Sequence, residues 1–227
     1  MREVQDHYFR EAKREGYLSR AAYKLIEIDD RRKILKRSDA VLDCGAAPGS
    51  WLQVASQRVG ERGMVVGIDL QPIRFTARNV ISIEGDLREI GDEALLAPIR
   101  ARGGAGAKNR LFDVILSDMA PSTTGDPRAD HFRSVQLCEA LLDRGPGLLA
   151  QGGSLVMKVF EGESYPGLLK RAGALFEQCK GFKPKASRSE SVEMYIVGQG
   201  YRPVASGARE PEHDAAPPRR RPTGWSR

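Results

Sequence analysis

The chain has 227 residues, with 36 Lys and Arg against 30 Asp and Glu, which gives a formal net charge of +6. This length suits one α/β domain with a sizeable core and is too short for two comfortable domains. The apolar runs are too short to predict a membrane span. The start of the chain has no apolar segment of the kind found in signal peptides, so we expect a cytoplasmic protein.

Cysteine and histidine usage predicts neither a disulfide framework nor a metal site. The three cysteines are Cys44, Cys138 and Cys179, an odd count with no pair at ligand spacing, and the three histidines are scattered.

The positive charge is concentrated at the two ends of the chain. Residues 1–38 carry 11 Lys and Arg against 7 Asp and Glu, and residues 203–227 carry 5 against 3. A nearly neutral middle with basic flanks is typical of enzymes that bind polyanions. The same pattern is equally compatible with a solvated helix face and a loose tail.

The predicted elements begin with a basic N-terminal helix that Ser19 is placed to cap. Its apolar positions share one stripe: Ala22, Leu25, Ile26, Ile28 and Leu35. Short apolar runs follow at 40–42, 64–68, 80–83, 112–116 and 154–159. Helix-like stretches lie between several of them, at 50–59, 131–149 and 165–179. This alternation predicts a parallel, doubly wound sheet.

The chain then gives two strand candidates in close succession, at 182–186 and 193–197, which predict an antiparallel hairpin at one side of the sheet. Such an ending is common in methyltransferases and unusual in dinucleotide-binding domains. The predicted fold is therefore Rossmann-like α/β, with a mostly parallel seven-stranded sheet, an antiparallel C-terminal strand and a preceding N-terminal helix. We expect one domain over 1–202 with a surface loop at 103–109, and a disordered basic tail over 203–227.

The first strand leads into the sequence DCGAAPGSW, from Asp43 to Trp51. Gly45 and Gly49 permit close backbone approach, and the following helix offers free N–H groups at its start. This position in a parallel sheet predicts a nucleotide site, although a plain strand-to-helix turn has the same pattern. The spacing is not G-x-G-x-x-G, and the acid Asp43 suits a cationic amino-acid cofactor better than a pyrophosphate.

Acids also follow the second and third strands. Asp69 is placed to accept ribose hydroxyls, and Asp86 is placed to meet the exocyclic amine of adenine. Each acid taken singly is compatible with a solvated loop. Three acids after three successive strands, however, line one edge of one sheet.

The fourth strand ends in SDMAP, which contains Asp118 and lacks the aromatic residue of the motif that grips an exocyclic amine in DNA and protein N-methyltransferases. Lys158 lies within an apolar strand, where a lysine is costly unless it is partnered or snorkels from an edge. Glu193 opens the last strand, and Lys24 lies on the N-terminal helix, where an ordinary surface lysine is the simpler reading.

Seven segments together make the sequence resemble the FtsJ-like ribosomal RNA large-subunit 2′-O-methyltransferases: 8–25, 42–51, 67–73, 84–86, 116–125, 152–162 and 183–197. The resemblance implies S-adenosylmethionine as cofactor, bound by Gly49, Trp51 through its backbone, Asp69, Asp86 and Asp118, to which the turn adds Gly45. It also implies a catalytic tetrad on Lys24, Asp118, Lys158 and Glu193.

The implied reaction methylates a ribose 2′-hydroxyl, with a uridine of large-subunit (23S) ribosomal RNA in a 50S or pre-50S particle as substrate and the protein as a monomer. Transfer RNA or another RNA is the alternative substrate. Lys158 is assigned as general base, or as the group that steers the hydroxyl while the proton leaves late, because Lys24 and burial favour neutral lysine whereas Asp118 and Glu193 favour the charged form.

The RNA is expected to lie on the basic N-terminal residues: Arg10, Lys13, Arg14, Arg20, Arg31, Arg32 and Lys33, with the arginines at 219–221 as a nonspecific addition. Two other classes of protein remain open, a dehydrogenase on a Rossmann fold and a non-catalytic RNA-binding protein that kept the fold.

Overall fold

The computed structural model describes residues 2–187 and 191–203. The helices in this part of the chain are α1 (Arg2–Glu15), α2 (Ala21–Arg32), α3 (Ser50–Val59), α4 (Asp92–Gly103), α5 (Pro127–Leu148) and α6 (Tyr165–Leu175). The strands are β1 (Ala40–Cys44), β2 (Met64–Asp69), β3 (Val80–Glu84), β4 (Phe112–Ser117), β5 (Leu149–Phe160), β6 (Phe176–Phe182) and β7 (Glu193–Tyr201).

The strands form one seven-stranded sheet in the order β3-β2-β1-β4-β5-β7-β6. The pairs from β3 to β5 are parallel, whereas β7 runs antiparallel to both of its neighbours, β5 and β6. The predicted Rossmann-like fold with an antiparallel C-terminal strand is confirmed. The chain reverses direction across the sheet between β1 and β4, and this is the switch point where such folds bind ligands.

Helices cover both faces of the sheet, so the core has two layers. Alternate residues of β1 point to opposite layers, with Leu42 in one and Val41 in the other. Leu42 belongs to the layer that includes α4, α5 and α6, and Val41 to the layer that includes α2 and α3. In the second layer, the N-terminal helix α2 packs against the sheet that leads into the turn from Asp43 to Trp51.

The first strand of the terminal hairpin was misplaced in the sequence prediction. It occupies Phe176–Phe182 rather than 182–186, and α6 ends at Leu175 rather than at 179. The strand is at the sheet edge, where most of its side chains are exposed, so polar residues dominate and period-2 alternation is weak. Phe176 is its buried anchor and packs its ring 5.4 Å from that of Tyr201.

Two further boundaries differ from the prediction. Helix α5 begins at Pro127, before the predicted residue 131, because Asp126 caps it by accepting hydrogen bonds from the Arg128 and Ala129 N–H groups. The loop predicted at 103–109 contains a short 3₁₀ turn over Gly104–Ala107. Ser19 is not the N-cap of α2 as predicted: the N-cap is Arg20, without a side-chain capping bond, and Ser19, one residue earlier, accepts the Ala21 N–H at 3.2 Å.

No helix among the described residues is long and apolar enough to cross a membrane. The tail predicted over 203–227 lies outside the described residues apart from Pro203.

Candidate active site

The turn after β1 lies at the switch point, beside the end of β4. Gly45 has a φ of 77°, and a Cβ placed there would be 2.8 Å from the backbone nitrogen of Met119. Gly49 has a φ of 121°, and a Cβ there would be 2.5 Å from the Cβ of Phe75. Both positions therefore require glycine for backbone conformation and for packing within the protein itself.

A pocket with about 500 Å³ of empty space opens beside this turn. Its lining includes residues at or just after the ends of four neighbouring strands: Gly45, Asp69, Gly85, Asp86, Arg88 and Met119. Gly49 and Trp51 are not in the lining and lie further along the turn, where α3 begins. The structure thus brings three of the predicted cofactor residues, Gly45, Asp69 and Asp86, around one cavity.

Asp69 fixes the turn as well as lining the pocket. One carboxylate oxygen accepts the Ala47 N–H at 2.9 Å and the other accepts the Gln71 N–H at 2.8 Å. Each carboxylate oxygen can accept more than one hydrogen bond. These contacts therefore hold the Asp69 side chain in place and still leave it able to accept hydrogen bonds from a ligand.

Asp86 is held by Arg88, a neighbour that was not among the predicted site residues. The Arg88 Nε lies 3.0 and 3.1 Å from the two carboxylate oxygens, and the Arg88 N–H donates to Oδ1 at 2.8 Å. The hydrogen bonds from Arg88 lower the pKa of Asp86 to about 2. Asp86 is therefore an anion at every physiological pH.

Asp43 differs from these two acids because it is fully buried. Neither of its carboxyl oxygens has a hydrogen-bond partner among the described residues. Burial, and then the negative charges of Asp118 and Asp69, raise the pKa of Asp43 well above its ordinary value. An unpartnered buried carboxyl two residues before Gly45 is a place where a cationic group would be stabilised.

Lys158 and Asp118 form one of two lysine–carboxylate pairs near the ends of the central strands. The Lys158 Nζ lies 2.9 Å from Asp118 Oδ1 and donates to the Asp118 carbonyl oxygen at 2.5 Å. The Lys158 side chain is only 6% exposed, so this pairing offsets the cost of burying its charge. Asp118 is therefore the partner that a lysine within an apolar strand was expected to need.

Lys24 and Glu193 form the second pair, with 2.7 Å between Nζ and Oε2. The pair joins α2, near the beginning of the chain, to the first residue of β7, near its end. The Lys24 side chain is 8% exposed, so it is not an ordinary surface lysine. Each lysine of the predicted tetrad therefore has its own carboxylate.

Tyr195, which was not among the predicted site residues, connects the two pairs. Its hydroxyl donates to Asp118 Oδ1 at 2.8 Å, and the Lys24 Nζ lies 5.9 Å from its ring centroid. It stands opposite Lys158 in the β5–β7 register. Its position two residues after Glu193 on a strand, and so on the same face, was the signal that could have identified it.

Burial, followed by the charges of Asp118 and Glu193, raises the pKa of Tyr195 well above its ordinary value. The hydroxyl consequently stays protonated and remains a donor. Its ring packs 5.8 Å from that of Trp51, whose indole N–H donates to the Ala21 carbonyl at 2.8 Å. Trp51 thereby ties the turn to the helix that carries Lys24.

The basic residues predicted to contact RNA lie on or beside α1 and α2, and most of them are exposed: Arg10, Lys13, Arg14, Arg20, Arg31, Arg32 and Lys33. Arg14 is paired with Glu11 at 3.1 Å. The arginines at 219–221 lie outside the described residues. Within the described part of the chain, no group of three His, Cys, Asp or Glu side chains is arranged to hold a metal ion.

Comparison with known proteins gives consistent matches over nearly the whole described chain. Residues 17–201 match the family model of the FtsJ-like methyltransferases. The ribosomal RNA large subunit methyltransferase E of Syntrophobacter fumaroxidans is 46% identical over 201 residues, which cover 88% of this chain and 97% of that protein. The protein of the same name from Methanothermobacter thermautotrophicus is 44% identical over 200 residues, covering 87% and 90%.

Among solved structures, a ribosomal RNA methyltransferase from Plasmodium falciparum is similar to this chain with a TM-score of 0.67 and 28% sequence identity. The similarity covers 82% of this chain and 98% of that one. The range matched by the family model contains both lysine–carboxylate pairs and Tyr195.

Proposed function

Because this chain belongs to the FtsJ-like methyltransferase family, we propose that it transfers a methyl group from S-adenosylmethionine to a ribose 2′-hydroxyl of large-subunit ribosomal RNA. The observation that carries the proposal is the arrangement of Lys158–Asp118 and Lys24–Glu193, joined through Tyr195 near the pocket at the switch point. Relatives that are 44–46% identical are named for methylation of that RNA.

The residues around the pocket fit this cofactor. Asp69 would hold the ribose hydroxyls, and the anionic Asp86 would accept from the adenine amine. The buried, unpartnered carboxyl of Asp43 suits the cationic amino-acid end. Gly45 would form part of the pocket wall, since its own N–H already donates to the Ile68 carbonyl at 2.9 Å. The backbone N–H groups of Gly49 and of Trp51, at the start of α3, would bind the carboxylate end. When bound, S-adenosylmethionine supplies a methyl group activated by a positively charged sulfur.

Lys158 is the residue we assign to the 2′-hydroxyl. An ammonium has three N–H donors, and the two oxygens of Asp118 account for two of them. The third is free to donate to the hydroxyl oxygen and hold one of its lone pairs toward the methyl group. In this role the hydroxyl proton leaves late and passes to solvent water; in the alternative role, neutral Lys158 accepts that proton as a general base.

Asp118 and Tyr195 keep Lys158 in position, because Asp118 Oδ1 accepts hydrogen bonds from both the Lys158 ammonium and the Tyr195 hydroxyl. Lys24, fixed by Glu193, places a second positive charge next to this group. Asp118 is also proposed as a cofactor contact, since Met119, the next residue, lines the pocket. Holding both reactants in a near-attack geometry can supply roughly 7–11 kcal/mol of the barrier reduction.

The finer substrate assignment follows the relatives. We assign the reaction to one uridine of 23S RNA within a 50S or pre-50S particle of the cytoplasm, carried out by a monomer. In this proposal, residues 1–202 form a single methyltransferase domain. The exposed basic residues of α1 and α2 would contact the phosphate backbone.

The deciding experiment maps 2′-O-methylation at nucleotide resolution in large-subunit RNA from cells with and without the protein. We expect loss of one uridine mark, restored by the wild-type chain and by Lys170→Ala, an exposed lysine on α6, but not by Lys158→Ala. An unchanged large-subunit map with a mark lost from transfer RNA would overturn the ribosomal substrate.

A further inference from the structure

A second groove opens on the surface between α1, α2 and the segment that follows β6. Its lining includes Tyr8 of α1, residues Tyr23, Glu27 and Arg31 of α2, and Lys185. It encloses about 700 Å³ of open space and shares no lining residue with the pocket at the switch point. We refer to it below as the tyrosine groove.

The aromatic residues of the tyrosine groove form a connected group. The ring centroids of Tyr8 and Tyr23 are 5.5 Å apart, and Tyr17 packs on Tyr23 from another side at 5.7 Å. The Tyr23 hydroxyl donates to Glu15 at 2.9 Å, which fixes the ring. Tyr8 and Tyr23 are only partly buried, so both present open aromatic surface to the groove.

The acids of the groove already have partners within the fold. Glu27 accepts the Lys185 backbone N–H at 2.7 Å, and Asp30 accepts from Arg58 at 2.7 Å. The exposed side chains of Arg31 and Lys185, in contrast, have no hydrogen-bond or ion-pair partner among the described side chains, those of residues 7–104, 106–187 and 191–203. Two unpartnered cations beside two partly open rings are complementary to an anionic ligand that also has a flat aromatic part.

The groove is also adjacent to the proposed reaction centre. Tyr23 directly precedes Lys24 on α2, and Glu27 follows Lys24 by three residues, about one helical turn. Lys24 is bonded to Glu193, the residue that opens β7 after the segment bearing Lys185. The tyrosine groove and Lys24 are therefore carried by the same turn of α2.

Single-stranded RNA has both required features, since its bases stack on aromatic side chains while its phosphates bind Arg and Lys. We propose that the tyrosine groove binds an unpaired nucleotide of the substrate RNA next to the methylated one. Its base stacks against Tyr8 and Tyr23, and its phosphate contacts Arg31 and Lys185. This inference rests on the proposed function, because it presupposes that the substrate is RNA.

The test uses the full chain and short single-stranded RNAs that carry one 2-aminopurine, a base whose fluorescence is quenched by stacking. The wild-type protein should quench it at one position of the RNA. Tyr8→Ala should abolish that quenching and weaken RNA binding by about 10-fold, whereas Tyr8→Phe should retain both. Phe9→Ala is the matched control, because Phe9 is 64% exposed on the same helix and does not line the groove.

Salt dependence separates stacking from charge. Arg31→Gln should reduce the slope of log affinity against log salt by about 1, and Tyr8→Ala should leave that slope unchanged. The Arg31→Gln measurement also keeps the proposal testable if Tyr8→Ala lowers the melting temperature.

The groove assignment would be overturned if Tyr8→Ala and Arg31→Gln both kept the RNA affinity, salt slope and fluorescence quenching of the wild type. That result would leave the proposed function intact. Failure of the wild-type protein to bind any RNA would instead overturn the proposed function, and the groove assignment with it.

Discussion

The Tyr195 hydroxyl and the Lys158 ammonium share one acceptor, Asp118 Oδ1, at 2.8 and 2.9 Å. Asp118 is therefore held from two sides by donors on adjacent antiparallel strands, at positions that face each other in the β5–β7 register. A carboxylate fixed in this way cannot turn without breaking both contacts, so the position of the lysine depends on the tyrosine.

Tyr195→Phe should lower kcat for methyl transfer by roughly 10- to 100-fold, because it removes a hydrogen bond to a charged group worth about 1.5–3 kcal/mol. The affinity for S-adenosylmethionine should stay close to that of the wild type. Tyr201→Phe is the matched control, since the Tyr201 hydroxyl is buried without a partner among the described residues. Equal rates for the two variants, measured in single turnovers, would contradict a positioning role for Tyr195.

Lys158→Arg should distinguish the two roles of Lys158. A guanidinium stays charged, so it can still donate to the hydroxyl oxygen but cannot accept a proton. We expect this variant to keep a measurable single-turnover rate, because two oxygens of Asp118 already hold a cation at this position. A rate as low as that of Lys158→Ala would instead favour neutral Lys158 as the general base.

Lys158→Ala is the reference for this measurement. It should abolish transfer while isothermal titration still detects cofactor binding, and a robust rate in this variant would exclude both roles.

Asp43 should make the empty protein less stable as pH rises. The pKa of Asp43 is raised in the folded state, so folding favours the neutral acid. The contribution of Asp43 to the free energy of unfolding is fully present below the unfolded-state pKa of about 4. It declines as pH rises toward the folded-state pKa. The melting temperature of Asp43→Asn relative to wild type should therefore improve progressively above about pH 4.

Asp86→Asn is the control in these thermal unfolding measurements, because the pKa of Asp86 is shifted in the opposite direction to that of Asp43. The pKa of Asp86 is lowered to about 2, so its contribution is present above about pH 4 and is lost only as pH falls toward 2. The difference between this variant and wild type should be flat at neutral pH. A flat difference for Asp43→Asn as well would show that the buried carboxyl does not titrate as expected.

Arg88→Ala should make cofactor binding sensitive to mild acid. Without the Arg88 hydrogen bonds, the pKa of Asp86 returns toward its ordinary value, about 4. S-adenosylmethionine affinity should then fall below about pH 5 in the variant and stay constant in the wild type over the same range. Binding titrations at several pH values measure this directly, with Arg133→Ala as a control outside the pocket lining.

The sheet was predictable because its buried central strands read as apolar runs, as at Val65 and Val114. The edge strand β6 was not, since exposure on both sides removes that signal and only Phe176 is fully buried. The acids Asp69 and Asp86 were found for a similar reason, because Asp69 ends β2 and Asp86 lies two residues past the end of β3.

The pairing within the site could not be predicted in this way. Lys24 and Glu193 are 169 positions apart in sequence, and only the insertion of β7 between β5 and β6 brings them together. Arg88 and Tyr195 were missed because an arginine in a loop and a tyrosine in a strand are both ordinary there. Their importance lies in what they touch, namely Asp86 and Asp118.

The placement of β7 has a consequence for how the molecule is made on the ribosome. This strand is the last regular element of the described chain, yet it adds to β5 and supplies Glu193 and Tyr195. Every residue that lines the proposed cofactor pocket precedes β5 in the chain, whereas Lys24 and Asp118 lack these two partners until β7 has been made. The proposed reaction centre therefore cannot be completed before β7 has been synthesised.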